Sequence, residues 1–498
     1  MIVALLLILQ LAWFAALIWR LKEYSIWVTG GLAFLSVATV VYVINSGSNP
    51  SVKLAWVVPI LVFPLFGGLL YLAFGSKRPQ RRMRRALEKA DLLTDPYVEE
   101  DREILSSLRR EDPHVAGQIQ YLQDQGFPPY GQTKNRYYCV GEDYFQTILE
   151  DLRQAKHYIF LEFFIVQEGV MWDQILEILK EKAAAGVEVR LIYDDFGCLF
   201  TLPSGYDRKL EAMGIKTLVF NPFVPFWSVV MNHRDHRKIL IVDGHTAFTG
   251  GINLADEYIN ARALYGHWKD TGVRLEGEAV WRLTLMFLNM WNAFRTTDKD
   301  LSQYRPKVWS DSSWEEQGYV VPYADTPLDN EILAENVYLN MINGATRYVY
   351  LVTPYLITDH EMTTALCLAA KRGVDVRIIT PGIPDKKVVY QLTRAHYPEL
   401  LDHGVRIFEY TPGFVHAKCV VADDQLATVG TINFDYRSLY HHFECGTLHY
   451  RTSVVEQVRD DFLRTQKQCR QVARYRTSHV PLIKKMYYAI LRLFAPLV

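Results

Sequence analysis

One eight-residue pattern occurs twice in this chain, and the repetition restricts the fold to a duplicated one. His236, Lys238 and Asp243 read H-x-K-x-x-x-x-D and lead into Gly250-Gly251-Ile252-Asn253. His416, Lys418 and Asp423 repeat the spacing and lead into Gly430-Thr431-Ile432-Asn433. A lone H-x-K is weak evidence, but two full copies in matched surroundings are not a chance pair. They point to one phosphate-handling site assembled from two half-sites.

Shorter matches flank the motifs. Ala185-Gly186-Val187-Glu188-Val189-Arg190 parallels Arg372-Gly373-Val374-Asp375-Val376-Arg377, and Met213-Gly214-Ile215 parallels His403-Gly404-Val405. The pattern between them predicts alternating helices and strands: helix 144–155, strand 158–166, helix 173–185 and strand 187–193. In the second half it predicts strand 348–353, helix 361–372 and strand 374–380. Such alternation gives α/β layers around a largely buried sheet. The domain reading is a membrane region over 1–75, a basic helical linker over 76–130, a first half over 131–310, a second half over 311–475 and an amphipathic tail over 476–498. That tail either lies at a membrane interface or docks on the domain.

Strand parity sorts the motif. His236 and Lys238 are two apart and share a face, whereas Asp243 lies at an odd offset beside Gly244. His and Lys therefore form the chemical pair, and Asp243 completes the motif mainly as a structural group. The same holds for His416, Lys418 and Asp423. A phosphodiester repels nucleophiles, so a site for it needs cations or donors on the oxygens, a nucleophile and an acid for the leaving alkoxide. Lys238 and Lys418 supply charge, and Asn253 and Asn433 supply amide donors. One His can attack phosphorus while the other carries the proton. Each His also needs an orienting carboxylate to fix its tautomer. Asp270, 34 positions after His236, and Glu444, 28 positions after His416, are the candidates, one for the histidine of each half. His233, His441 and His442 lack such framing and are read as neighbours or substrate contacts. No spacing suggests a metal site or any cofactor.

Net charge is −1, which argues against a nucleic-acid partner. The six cysteines are scattered without a C-x-x-C, favouring reduced thiols over a disulfide scaffold. Three apolar stretches, 2–19, 25–44 and 54–74, are each long enough to cross a hydrocarbon core of ~20 helical residues. Lys77, Arg78, Arg81, Arg82, Arg84 and Arg85 follow the third, so the positive-inside rule places the remainder of the chain in the cytoplasm. The first half also carries an apolar insertion, 221–230, read as a lip that admits lipid chains through Phe226 and Trp227.

These motifs resemble those of the phospholipase D superfamily, whose members carry two H-x-K-x-x-x-x-D copies. With the N-terminal apolar region and the run from Gly250 to Tyr258, the chain is most similar to the bacterial cardiolipin synthases, over nearly its whole length. The resemblance implies a membrane-anchored, duplicated phospholipase D-type α/β sandwich with one shared active site. It implies metal-independent phosphatidyl transfer in the bacterial inner membrane. Two phosphatidylglycerols would give cardiolipin and glycerol through a phosphatidyl-histidine, other anionic phospholipids being possible partners. By the same resemblance His236 is the nucleophile and His416 the acid/base. A phospholipase D hydrolase would share every one of these residues and differ only in using water as acceptor, and another phosphatidyltransferase acting on membrane phospholipids is the second alternative. A nuclease fits less well, and two intact motifs argue against a non-catalytic scaffold.

Overall fold

The computed structural model describes residues 12, 25–47, 49–63, 67, 68, 71, 81–223, 233–306, 317–329, 331–473 and 481–497. Two compact units are present. One contains the N-terminal residues to Arg81 and the C-terminal Leu482–Val498; the other contains Arg82–Val224 and Met231–Pro481.

The larger unit holds two sheets. The first contains β1 (Thr133–Tyr138), β2 (Tyr158–Phe163), β3 (Glu188–Asp194), β4 (Ile215–Phe220), β5 (Lys238–Val242), β6 (Thr246–Gly250) and β8 (Gly272–Gly277), with β7 (His267–Lys269) outside it. The second contains β9 (Tyr319–Asp325), β10 (Tyr348–Val352), β11 (Asp375–Pro381), β12 (Arg406–Tyr410), β14 (Cys419–Ala422), β15 (Leu426–Gly430), β16 (Glu444–Tyr450) and β17 (Cys469–Gln471), with β13 (Gly413–Val415) apart.

The strand orders make the duplication explicit. The first sheet runs β1-β8-β6-β5-β2-β3-β4, and the second runs β9-β16-β15-β14-β10-β11-β12 before ending on β17. Strand for strand, the halves have one topology. In each, three strands are parallel (β2-β3-β4 and β10-β11-β12) and the motif strand, β5 or β14, pairs antiparallel with the first of them. The central strands are buried on both faces, which is why β2 reads Tyr-Ile-Phe-Leu-Glu-Phe rather than alternating. Ile159, Leu161, Leu191, Leu240 and Phe248 are fully buried between helices Gly141–Gln154 and Val170–Ala184 and the sheet. The repeated glycines end the crossover helices. Gly186 and Gly373 sit at φ 90° and 92°, left-handed conformations that stop a helix without a Cβ penalty.

Two strands tie the halves together. β13 of the second half pairs in parallel with β7 of the first, and Asp235 bridges Phe443. These links sit immediately before His416 and beside His236, and so fix where the two motifs meet.

The region expected to be a linker carries three helices, Arg81–Thr94, Arg102–Glu111 and Pro113–Asp124. Leu108, Val115, Ile119 and Leu122 of the last two are buried in the larger unit. The tail forms helix Leu482–Phe494, which packs in the N-terminal unit beside helix Pro50–Val62.

Three membrane crossings are expected from the sequence, and the described residues do not support them. Among the described residues no helix is long and apolar enough to cross a membrane. The first stretch lies outside the described residues except for Ala12. The second is helical over Ser25–Ile44, though several of its side chains fall outside the described set. The third is helical over Pro50–Val62, 13 residues, and breaks at Phe63. Thirteen residues rise about 20 Å, short of the ~30 Å needed. The break has a local cause: Phe63 precedes Pro64, which disfavours the helical region for its neighbour, and Phe63 sits at φ −126°, ψ 70°. Of the predicted lip, Val224–Val230, with Phe226 and Trp227, lie outside the described residues.

Candidate active site

Both imidazoles lie at the N-terminal edges of their motif strands and are buried, at 7 % exposure each. Each is held by the opposite half. His236 places Nδ1 2.9 Å and 3.0 Å from the two carboxylate oxygens of Glu444, and its backbone N–H donates to the Phe443 carbonyl at 2.9 Å. His416 places Nδ1 2.6 Å from Asp270 Oδ2, and its N–H donates to the Lys269 carbonyl at 2.7 Å. Both predicted carboxylates are therefore in the site, but exchanged. The expected pairing within each half is replaced by a crossed one, because the strand links described above bring β16 to the first motif and β7 to the second.

This crossing sets the tautomers. Donation from Nδ1 to a carboxylate leaves Nε2 of each neutral ring with its lone pair. Burial first, then the charges of Lys238, Lys418, His416 and Lys386, hold His236 well below the ordinary imidazole pKa. His416 falls to about 4, through burial and Lys418 against the opposing pull of Asp270. Burial likewise lowers Lys238 to about 8, although Glu444 opposes it, and Lys418 to about 7, although Asp270 opposes it. Asp270 is held low by His416 and Lys418 despite its burial. Lys238 Nζ donates to the His236 carbonyl at 2.6 Å. Lys418 Nζ lies 2.8 Å from His416 Nδ1 and also donates to the His416 carbonyl. The result is a buried pocket of crowded cationic groups, which an anion would relieve.

The glycines of the repeat are explained here. A Cβ on Gly251 would lie 2.1 Å from Asp270 Oδ1, so this position has to be bare for the carboxylate to reach His416. The matching position in the second half is Thr431, whose hydroxyl donates to Glu444 Oε2. The Gly-Gly against Gly-Thr difference thus tracks the two carboxylates, and it was the signal in the sequence that could have found Thr431. Of the rings around each imidazole, sequence reasoning named only His442, as a neighbour or substrate contact, and missed the others. Tyr258, Trp268 and Phe414 surround His416 at centroid distances of 5.4, 5.4 and 5.9 Å, and Phe164 and His442 flank His236 at 5.1 and 5.5 Å.

The other predicted residues divide. Asn253 accepts from Ile165 N–H through Oδ1 (3.1 Å) and donates to the Tyr258 hydroxyl (2.6 Å), so it braces the wall of the site. Asn433 is buried, and among the described residues its Oδ1 has no hydrogen-bond partner. Asp243 and Asp423 stand at the far ends of their strands. Asp243 accepts the N–H groups of Lys156, His157 and Tyr158 at 2.7–2.8 Å; Asp423 does the same for Thr346, Arg347 and Tyr348 at 2.6–2.8 Å. Both sit at positive φ, 52° and 55°, at the turn after the motif strand. They hold the loops entering β2 and β10 and do not touch the imidazoles. Asp243→Ala leaves three backbone donors without their acceptor and is expected to lower stability by about 2 kcal/mol or more. Thermal unfolding of the variant checks this, and its folded fraction should keep the wild-type rate.

All six cysteines are free thiols. Thr271 Oγ1 lies 3.1 Å from Cys419 Sγ, and Thr249 Oγ1 lies 3.6 Å from Cys445 Sγ, so two of them pack the seam between the halves.

A family model described as "Cardiolipin synthase, PLD-like domain" matches residues 148–265 and 338–466, the two halves, and one described as "Phospholipase_D-nuclease N-terminal" matches residues 34–76. An uncharacterized protein of Streptococcus mutans is 46% identical over 93% of this chain and 100% of its own length. A cardiolipin synthase of a Geobacillus species is 34% identical over 94% of each chain, and one of Alkalihalophilus pseudofirmus is 31% identical over 97% of each. Among solved structures, the phosphatidylserine synthase of Haemophilus influenzae superposes with a TM-score of 0.59 at 15% identity, covering 77% of this chain and 99% of its own. It shares the fold.

Proposed function

Because this chain belongs to the cardiolipin synthase family, we propose that its crossed imidazole pair transfers a phosphatidyl group from one phosphatidylglycerol to a second, giving cardiolipin and glycerol. The observation that carries this is the exchange of carboxylates. Each ring is anchored at Nδ1 by the other half, and two lysines of lowered proton affinity stand beside them.

In the first displacement His236 Nε2 attacks phosphorus, and the bond from phosphorus to the glycerol oxygen breaks. His416 gives its Nε2 proton to the departing oxygen. The products are free glycerol and a phosphatidyl group on His236. In the second, the hydroxyl of an incoming phosphatidylglycerol passes its proton to His416 and attacks phosphorus, and the phosphorus–nitrogen bond breaks to restore His236. Lys238 and Lys418 neutralise the non-bridging oxygens throughout. Neither reactive ring holds a second proton in the free protein near neutrality. The arriving diester anion offsets the cationic field and couples substrate binding to protonation of His416.

The lysines fix one pH limb. Their charge is present below their pKa values and lost above them, so kcat/KM is expected to fall as pH rises through about 7 and about 8. A pH profile in mixed micelles checks this; a rate that climbs steadily from pH 7 to 9 would contradict it.

The family's lipid substrates call for membrane association. The N-terminal unit offers an apolar surface, with Trp27 and Phe34 of helix Ser25–Ile44 at 79% and 76% exposure. We assign membrane contact to this unit, with the catalytic unit on the cytoplasmic side. Incubating the purified protein with phosphatidylglycerol alone tests the assignment. Cardiolipin with equimolar glycerol is the expected outcome, and phosphatidic acid in its place would make the protein a hydrolase.

A further inference from the structure

We propose that His236, His442 and Glu444 form a binding site for one divalent ion of the zinc class, and that its occupation switches the transferase off. The inhibitory part rests on the transferase reading above; the binding part does not.

The geometry comes first. One donor atom from each of the three residues lies within 4.8 Å of the others. His236 Nδ1 is 2.9 Å and His442 Nδ1 3.8 Å from Glu444 Oε1. Zinc–nitrogen and zinc–oxygen bonds of ~2.0–2.1 Å in a tetrahedron place neighbouring donors about 3.3 Å apart, within this spread. The second observation is His442 itself. Its side chain is 10% exposed, and among the described residues neither ring nitrogen is within hydrogen-bond distance of a partner, Nδ1 facing Glu444 at 3.8 Å. A buried imidazole that faces a carboxylate and another imidazole, with no close hydrogen bond to either nitrogen among the described residues, is a ligand held ready.

The donor set selects the ion. Two imidazoles and one carboxylate suit zinc, cobalt or nickel, while magnesium and calcium prefer all-oxygen shells. Three protein donors leave a fourth position for water. Lys238 and Lys418 face the same space and oppose a cation, so the ion is a dissociable regulator rather than a resident group.

The two halves differ here. His442 stands two residues before Glu444, and its counterpart two residues before Asp270 is Trp268. The rings take the same place, His442 at 5.5 Å and 43° from His236, Trp268 at 5.4 Å and 46° from His416. An indole offers no lone pair to a metal, so one half carries the triad and the other does not.

Inhibition follows from the tautomer. In the free protein His236 donates its Nδ1 proton to Glu444 and keeps the Nε2 lone pair. An ion bound at Nδ1 takes that nitrogen's lone pair, and the single proton of the neutral ring moves to Nε2. The nitrogen that must attack phosphorus then has no lone pair, and Glu444 supplies its negative charge to the ion.

The test uses full-length protein freed of metal by a chelator and titrated with Co²⁺ and Zn²⁺. The expected result is one Co²⁺ per chain with tetrahedral absorption, and loss of transfer on adding Zn²⁺. His442→Asn and His442→Phe should weaken Co²⁺ binding about tenfold or more and shift half-inhibition by the same factor, each against its own metal-free rate. X-ray absorption of the Zn²⁺-loaded wild type needs no variant and should show two imidazole nitrogens in the first shell. Equal binding by wild type and both variants, or a shell without imidazole, overturns the proposal. A wild type that makes no cardiolipin would instead overturn the transferase reading and leave cobalt binding to decide the site.

Discussion

Replacing His236 or His416 by alanine is expected to stop cardiolipin formation in different ways. His236→Ala removes the atom that bonds to phosphorus and should lower transfer by at least about 10⁴-fold with no covalent lipid on the protein. His416→Ala keeps the nucleophile and removes the proton carrier, a loss of about 10²–10⁴-fold. Acid-quenched His416→Ala should therefore accumulate a phosphatidyl adduct at His236. Both rings act on one phosphorus within one chain, so mixing the two variant proteins should restore nothing. An adduct on His416 in the His236→Ala protein would exchange the two roles.

The second large effect concerns the exchanged carboxylates. Glu444→Gln preserves shape but presents an amide to His236 Nδ1, which no longer favours the tautomer with a free Nε2 lone pair. A loss of about 10³-fold or more in kcat is expected, since mis-setting the tautomer of a catalytic histidine has effects of that order. Asp270→Asn should do the same to His416. The crossed geometry makes the two distinguishable: Glu444→Gln should slow chiefly adduct formation, by weakening His236 as nucleophile, whereas Asp270→Asn should slow both displacements, because His416 protonates the leaving oxygen in the first and takes the acceptor's proton in the second. Rapid-quench kinetics with radiolabelled phosphatidylglycerol separates the steps. If Asp270→Asn leaves breakdown of the adduct at the wild-type rate while Glu444→Gln slows it, the pairing within each half would be correct and the crossed one wrong.

Much of this site was legible from the chain because duplication writes its own alignment. The matched offsets identified His236, Lys238, His416 and Lys418, and strand parity separated Asp243 and Asp423 from them. The structure agrees, since those carboxylates accept loop N–H groups far from the imidazoles. The repeated Gly186 and Gly373 turns were equally visible, because a left-handed helix end needs the same residue in both halves. The carboxylate partners were found but paired wrongly. Spacing measures distance along one half, while the pairing is decided by β13 adding to β7 and by Asp235 meeting Phe443, long-range contacts that leave no periodic trace. His442 was read only as a neighbour or substrate contact, since its approach to His236, 206 positions away, leaves no trace in the spacing. The membrane crossings were read from apolar length, and the third is broken at Phe63 by the proline that follows it.

The most direct test of the central claim is the stereochemical course at phosphorus, measured with phosphatidylglycerol made chiral by isotopic substitution of its non-bridging oxygens. Two in-line displacements through a phosphohistidine each invert the centre, so cardiolipin should form with net retention. Net inversion would mean that the acceptor hydroxyl attacks the donor lipid directly, and the paired imidazoles would have no covalent role.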